Sequence, residues 1–529
     1  MAPIHLAARH GDALSLAVLV GRGADVTLVA EEGRCVLLAL AEGCGDGLRC
    51  GGGGGVTRGW EDKSGDADES RDSCAVGMSE VRVGMMASLL DAGVDPNGAP
   101  RAPCRPMQCL LLHADCPVAL TMLIARGADV DALDVAGNTA MHYAAAAGRR
   151  ASIEVLVQAG ASLEVANQSG KGPLHIAVES GDLRAIEIMG RSPHFQRMVN
   201  WPDAAGHTPL HLAVMHDHAA AVRALLGAEA LRDARDKRGR TPAYLAAFGG
   251  RAECLAELLK VDAVLSIKDN RGWSALHVAA YARRADCVQA MAQTDPTLLS
   301  ATDEACMTPL HVAAAQGDAA CCVEMLAAAA APGARTALMH ARDAEGRMCV
   351  HLAASHAHAE CLERLLAGGG AVGDGGAECG HADANATMNN GRTPLQLAAL
   401  SGAPECVAVL LDHGVAVDAL DPDGKSALWL AAANGDPECV ALLLDEGAMT
   451  EKTDFKGRSA VYVAAAHGHV QVLSLLAAHK EGTLDTRDHH GRTPLHAAAA
   501  NGHAQCCLFL MQHGSNAHAG DEKVNPKLY

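Results

Sequence analysis

Apolar residues along most of this chain recur at helical rather than alternating spacing, and short polar stretches carrying glycine interrupt them at regular intervals. Gly148, Gly181, Gly317, Gly402, Gly435, Gly468 and Gly502 each close a short apolar run, where a residue tolerant of the left-handed conformation ends a helix. A longer run follows, with apolar pairs such as Leu410-Leu411 and Leu443-Leu444, and meets another glycine at Gly127, Gly160, Gly414, Gly447 or Gly514. The pattern predicts turn, short helix, turn, longer helix.

Aligned on itself, the chain shows fourteen repeats opening at Met1, Arg34, Arg105, Asn138, Lys171, His207, Arg240, Trp273, Met307, Arg347, Arg392, Lys425, Arg458 and Arg492, with a common period of 33 residues. Glycine precedes many openings, as at Gly239, Gly272, Gly391, Gly424, Gly457 and Gly491, which suits a hairpin turn needing positive φ. Thr-Pro-Leu-His follows intact at Thr208–His211, Thr308–His311 and Thr493–His496, and its first half stands at Thr241-Pro242 and Thr393-Pro394. Threonine caps a helix N-terminus and proline fits the first turn, so this string reads as a helix start. A single pair of short helices cannot bury its apolar face alone; neighbouring pairs must stack.

The 33-residue period and the Thr-Pro-Leu-His-x-Ala string resemble the ankyrin repeat over nearly the whole chain. The resemblance implies an all-α ankyrin-repeat solenoid of helix-turn-helix units joined by β-hairpins or loops, elongated and curved. At roughly 9 to 10 Å per layer the fourteen repeats would extend on the order of 130 Å. The expected organisation is repeats over 1–43, a flexible Gly-rich and acidic insertion over 44–81, repeats over 82–367, a Gly-rich insertion over 368–390, repeats over 391–523 and a short tail, 524–529. A further seven extra residues near Ala328–Ala341 predict a finger or a spacer.

Hydrophobic residues make up 49% of the chain but aromatics only 2%, so the core must be packed from Ala, Leu, Val, Cys and Met, which suits closely approaching helices and disfavours an all-β fold. Sixty-two acidic residues against 43 basic ones leave a net charge of −19, which repels a polyanion over most of the surface and argues against bulk nucleic-acid binding. No run reaches the roughly 18 to 20 apolar residues of a membrane span. The amino terminus passes straight into a repeat, without a secretion signal, so the 19 cysteines are expected as reduced thiols in cytoplasm or nucleus.

Eight histidines (His5, His142, His175, His211, His277, His311, His351, His496) fall in one repeat slot, and the resemblance implies a hydrogen-bonding strut there rather than an acid–base catalyst. Tyr244, Gln396, Trp429 and Tyr462 take the same slot in other repeats, and Trp429 and Tyr462 read as core substitutions rather than a second binding patch. Cys254, Cys287, Cys321, Cys361, Cys406, Cys439 and Cys506 share another slot, elsewhere held by Ala119, Ser152, Ala185, Ala221 or Val472, and read as small core residues. Cys104, Cys109, His113 and Cys116 lack paired C-x2-C spacing, and Cys109 is assigned the histidine slot of its repeat, so no zinc site is expected. No G-x-S-x-G, H-E-x-x-H, Walker or kinase signature occurs, and neither an enzyme nor a cofactor is expected.

What remains is recognition of a protein partner, which the resemblance places on the hairpin tips and on the concave face formed by the first helices. Trp273 opens its repeat at a tip, while Phe248 and Tyr281 share one first-helix position in adjacent repeats. Arg235, Lys237, Arg238, Arg240, Arg271, Arg283 and Arg284 make a basic neighbourhood in an acidic chain, and aromatics with arginine are the usual interface anchors. Phe248, Trp273, Tyr281, Arg238, Arg240, Arg271 and Arg283 are therefore the expected protein-binding residues. A docking motif at Trp60-Glu61-Asp62 is weighed against a solvated linker, the commoner use of such a segment.

Residues Cys349–Val407, with Glu-Cys-Leu at Glu360–Leu362 and Glu-Cys-Val at Glu405–Val407, and again at Glu438–Val440, look like a stretch of the phosphatase 6 regulatory ankyrin-repeat subunits. That implies a subunit targeting a Ser/Thr phosphatase by binding its catalytic or scaffold subunit. The alternative within the same class is a substrate-receptor adaptor for a ubiquitin ligase or another signalling assembly.

Overall fold

The computed structural model describes residues 2–27, 36–42, 80–98, 105–329, 331–367, 382–479 and 484–520. The expected insertion at 44–81 lies outside them except for Glu80 and Val81, as do Gly51–Gly55, Trp60-Glu61-Asp62, Cys104, the first part of the 368–390 insertion and the 524–529 tail. The described chain is all-helical, with fourteen helix pairs, two additional α-helices and one 3-10 turn. Two compact units partition it: Met1–Leu245 with Ala256–Ala263, and Ala246–Leu255 with Val264–Tyr529.

The pair Pro309–Gln316 and Ala319–Ala328, in the second unit, shows how the repeat forms. Thr308 caps the first helix, its side chain accepting from the His311 N–H, and Pro309 occupies the first turn, where no intrahelical partner for its missing N–H is needed. Gly317 closes the helix at φ 71°, and Asp318 then accepts from the N–H groups of Ala320 and Cys321 to start the second helix. Leu310, Ala313, Ala314, Cys321, Cys322, Met325 and Leu326 are wholly buried. Alanine on the first helix and a small thiol on the second let backbones approach closely while Leu and Met fill the space between them. Truncating one such leucine to alanine costs about 2–5 kcal/mol.

Among the described residues six non-glycine residues adopt positive φ: Asp217, Glu229, Asp262, Arg283, Cys306 and Ala357. Each stands where other repeats place a turn glycine: Asp217, Arg283 and Ala357 between the two helices, Glu229 and Asp262 after the second, and Cys306 before an opening. The repeat dictates the backbone even where the residue type disfavours it.

The tip turns contain no strand among the described residues; one isolated bridge joins Thr453 and Ser459. Most tips among the described residues are instead folded around an aspartate four residues before the opening; Asn167 takes that place before Lys171 and Met388 before Arg392. Asp236 Oδ1 accepts from the N–H groups of Arg238 and Arg240, both at 2.8 Å, and Asp343, Asp421, Asp454 and Asp488 repeat the arrangement. Within each unit, backbone bonds join successive tips, as from Ala204 N–H to Ser169 O and from Phe455 N–H to Asp423 O, both at 3.0 Å.

Three sequence expectations change. The seven extra residues near Ala328–Ala341 form a packed helix, Pro332–Met339, with Leu338 and Met339 buried and Arg335 Nε donating to Leu326 O at 3.1 Å. Residues 382–392 make an ordinary tip, with Met388 N–H bonded to Arg392 O, although 382–390 had been grouped with the insertion. The third repeat is read one residue out of register. Gln108, not Cys109, occupies its strut position: Gln108 Oε1 accepts from Arg105 N–H at 2.8 Å, and Nε2 donates to Ala132 O and Asn138 O.

Candidate protein-interaction surface

Arg240 and Arg238 lie in the first unit. Arg240 is committed to the fold: its Nε and Nη2 both reach Asp236 Oδ2 at 2.7 Å. Burial alone would raise the Asp236 carboxyl, but the Arg240 guanidinium and the tip N–H groups outweigh it and hold it below the ordinary carboxylate value. Arg347, Arg458 and Arg492 make the same pair with Asp343, Asp454 and Asp488, so arginine at an opening is a tip clamp. Arg238 is exposed and offers only its backbone to Asp236.

The other five candidates lie in the second unit. Trp273 and Tyr281 are brought together, edge to face, with ring centroids 5.4 Å apart, and the indole Nε1 donates to Asp303 Oδ2 at 3.2 Å. Tyr281 is 47% exposed, its hydroxyl without a hydrogen-bond partner among the described residues, and Phe248, in the same slot one repeat earlier, is 50% exposed without a ring partner. Arg271 stands exposed at a tip. Arg283 is also exposed, but its Nη2 donates to Gln316 O at the end of the helix Pro309–Gln316, where a cation meets the negative end of the helix dipole.

A residue outside that set, Arg284, shares a slot with Arg149, His218, His358, His469 and His503, and those five donate to a carbonyl of the preceding repeat (Leu111, Glu179, Ala315, Ala433 and Ala466). Arg284 is exposed, its stem lies against Gly250, and its guanidinium makes no hydrogen bond or ion pair among the described residues. The repeat register places Arg284 in this slot, but that its head group is unattached is visible only in the structure.

Six of the buried histidines are struts, whereas the Nδ1 of His5 does not accept the equivalent bond among the described residues. Backbone N–H of Thr139, Gly172, Thr208, Ser274, Thr308 and Met348 donates to Nδ1 of His142, His175, His211, His277, His311 and His351 at 3.1–3.3 Å. An Nδ1 that accepts must be unprotonated, so each ring is the neutral tautomer with its proton on Nε2, which donates at 2.9–3.1 Å to a carbonyl of the following tip. Burial pushes all six imidazoles below their ordinary value, His211 and His351 to about 4. Gln396 reproduces both bonds with its amide, and Trp429 Nε1 donates to Arg458 O at 3.1 Å in place of the imidazole.

Burial also holds several core cysteines as thiols. Cys322 and Cys361 place their sulfurs 3.4 Å apart in the core beside Cys349, whose thiol burial pushes up to about 12, and burial raises Cys406 to about 11. A thiol held so far from ionisation is no nucleophile at neutral pH. Among the described residues no group of three or more His, Cys, Asp or Glu side chains is arranged to hold a metal ion, and no helix is long and apolar enough to cross a membrane.

A family model described as ankyrin repeats (3 copies) matches residues 107–194, 160–233, 221–300, 350–454 and 447–521. No curated protein matches the chain. Matched over more than half its length, and carrying the strut and tip bonds in repeat after repeat, the chain belongs to the ankyrin-repeat family.

Proposed function

We propose that this protein is a non-catalytic scaffold or adaptor that holds a partner protein, and that in the second unit the contact centres on Trp273 and Tyr281, flanked by Phe248 and Arg271. The observation that carries this reading is the pairing of the half-buried Trp273 ring with the exposed Tyr281 ring in a chain that is only 2% aromatic. An aromatic face already fixed by its neighbours loses little freedom on binding, which is what a hot spot requires. Arg240 is left out of the contact because its guanidinium is engaged with Asp236. The resemblance of Cys349–Val407 to phosphatase 6 regulatory subunits makes a Ser/Thr phosphatase in cytoplasm or nucleus the first partner to test, ahead of a ubiquitin-ligase assembly.

The test is affinity capture from cell extract with the full chain and with a Trp273→Ala/Tyr281→Ala variant, with circular dichroism as the folding control. Loss of a captured protein at unchanged helicity supports the reading. An unchanged set of captured proteins removes these residues from the interface.

A further inference from the structure

We infer that the occupant of this surface is an acidic peptide segment of the partner, its carboxylates meeting Arg271 and Arg284 and an apolar side chain resting on Phe248 and Tyr281. The inference rests on the proposed scaffold function and names the chemistry of what is held. Three observations carry it. Arginines elsewhere in the chain are commonly neutralised by carboxylates, as Arg240, Arg347, Arg392, Arg458 and Arg492 are, whereas the guanidiniums of Arg271 and Arg284 form no ion pair among the described residues. Asp303 and Glu304 of the next tip stand beside Trp273 and Gly272 in a chain of net charge −19, so the cationic character of this surface is that of the two guanidiniums themselves. Asp269 Oδ1 accepts from the backbone N–H groups of Arg271 and Trp273.

Two guanidiniums are few, which decides the class of partner. Two unattached guanidiniums on an otherwise acidic protein cannot offset the repulsion of a phosphate chain, whose binding grows with every phosphate neutralised. They suffice for two bidentate carboxylate contacts, each stronger than a neutral hydrogen bond. The apolar rings beside them exclude water from those contacts and supply burial that a polyanion's backbone would not use.

A displayed library of random 12-residue peptides, selected on the full-length protein and on an Arg271→Glu/Arg284→Glu variant, tests this. Both positions are exposed and unpaired, and circular dichroism verifies that the variant folds. The expected result is enrichment of peptides bearing two or more Asp or Glu around a Leu, Phe or Trp on the native protein, with at least a tenfold loss of affinity on the variant. The affinity should also fall as salt rises from 0.05 to 0.5 M. Enrichment of basic or uncharged peptides, acidic peptides retained equally by the variant, or no enrichment at all overturns the inference; binding of a single-stranded RNA oligonucleotide lost in the same variant overturns it in favour of a different anion. The scaffold reading fails separately, through capture from extract that ignores Trp273 and Tyr281.

Discussion

Two stretches of the second unit solve one structural problem with different chemistry. From Ala275 to Ser355 the first helix of each repeat is tied to the next tip by an imidazole, that of His277, His311 or His351; from Pro394 to His467 the ties are Gln396, Trp429 and Tyr462. At neutral pH the two are equivalent, because a neutral imidazole, a carboxamide and an indole all present an N–H to a carbonyl. They part in acid. Protonation leaves each imidazole its Nε2–H donor but removes the Nδ1 acceptor and puts a charge in a buried site, whereas the amide and indole do not titrate, and the buried Tyr462 phenol is pushed up, away from neutrality, by burial. The stretches differ in strain as well: the turn between helices is Gly402, Gly435 and Gly468 in the later one, but Arg283 and Ala357 take positive φ in two of three turns of the earlier.

The largest expected effect is on the non-titrating side. Trp429 is buried between Lys425 and Arg458, whose cationic groups lie 5.2 and 5.5 Å from its ring centroid. Trp429→Ala should cost about 3–5 kcal/mol, and by nearly the same amount at pH 7.5 and pH 5, in denaturant titrations. A cost that grows strongly in acid would mean that the later stretch also depends on a titrating group.

Next comes acid sensitivity. His351 has a folded value of about 4 against 6.5 when unfolded, so the unfolded chain takes up the proton first. The stability this strut contributes is complete above pH 6.5 and is lost as pH falls toward 4; at pH 5 the loss is about 2 kcal/mol. Hydrogen exchange, corrected for intrinsic rates, should therefore show the amides of 275–281, 309–316 and 349–355 losing protection between pH 7 and 5, while those of 394–401, 427–434 and 460–467 lose little. His351→Gln, which copies the tie at Gln396, should flatten this dependence at its own repeat. If the two stretches weaken in parallel, the struts are not the cause.

The smallest effect sharpens the contrast in strain. Ala357→Gly places a turn glycine where φ is 60°, and should raise stability by about 0.5–1 kcal/mol, whereas the reverse change at Gly402 should lower it by at least as much. Equal and opposite shifts in melting temperature would fit; no gain at Ala357 would show that the surroundings have relaxed the strain.

Much of this was readable from spacing. The glycine, threonine and histidine slots mark helix ends and struts because each uses a local conformation or a bond within four residues. The tip aspartates were equally visible, four residues before most openings, but their meaning appears only once the N–H groups they accept from are in view. Cys109 and Gln108 show the limit: one missing Thr-Pro-Leu-His string shifted the register by a residue, and only the bonds from Gln108 to Arg105, Ala132 and Asn138 corrected it.

Of the seven candidate binding residues, sequence could say which repeat positions hold aromatics and arginines. It could not say which arginines were free, since Arg240 and Arg271 are distinguished by whether the guanidinium forms an ion pair. The sequence alone thus determined the repeat, its helices and its reliance on small core residues, because a period repeated fourteen times averages out local ambiguity. Tertiary structure alone decided which side chains are spent on the fold and which remain for a partner, because a hydrogen bond between neighbouring repeats joins residues some 30 positions apart that no local pattern connects.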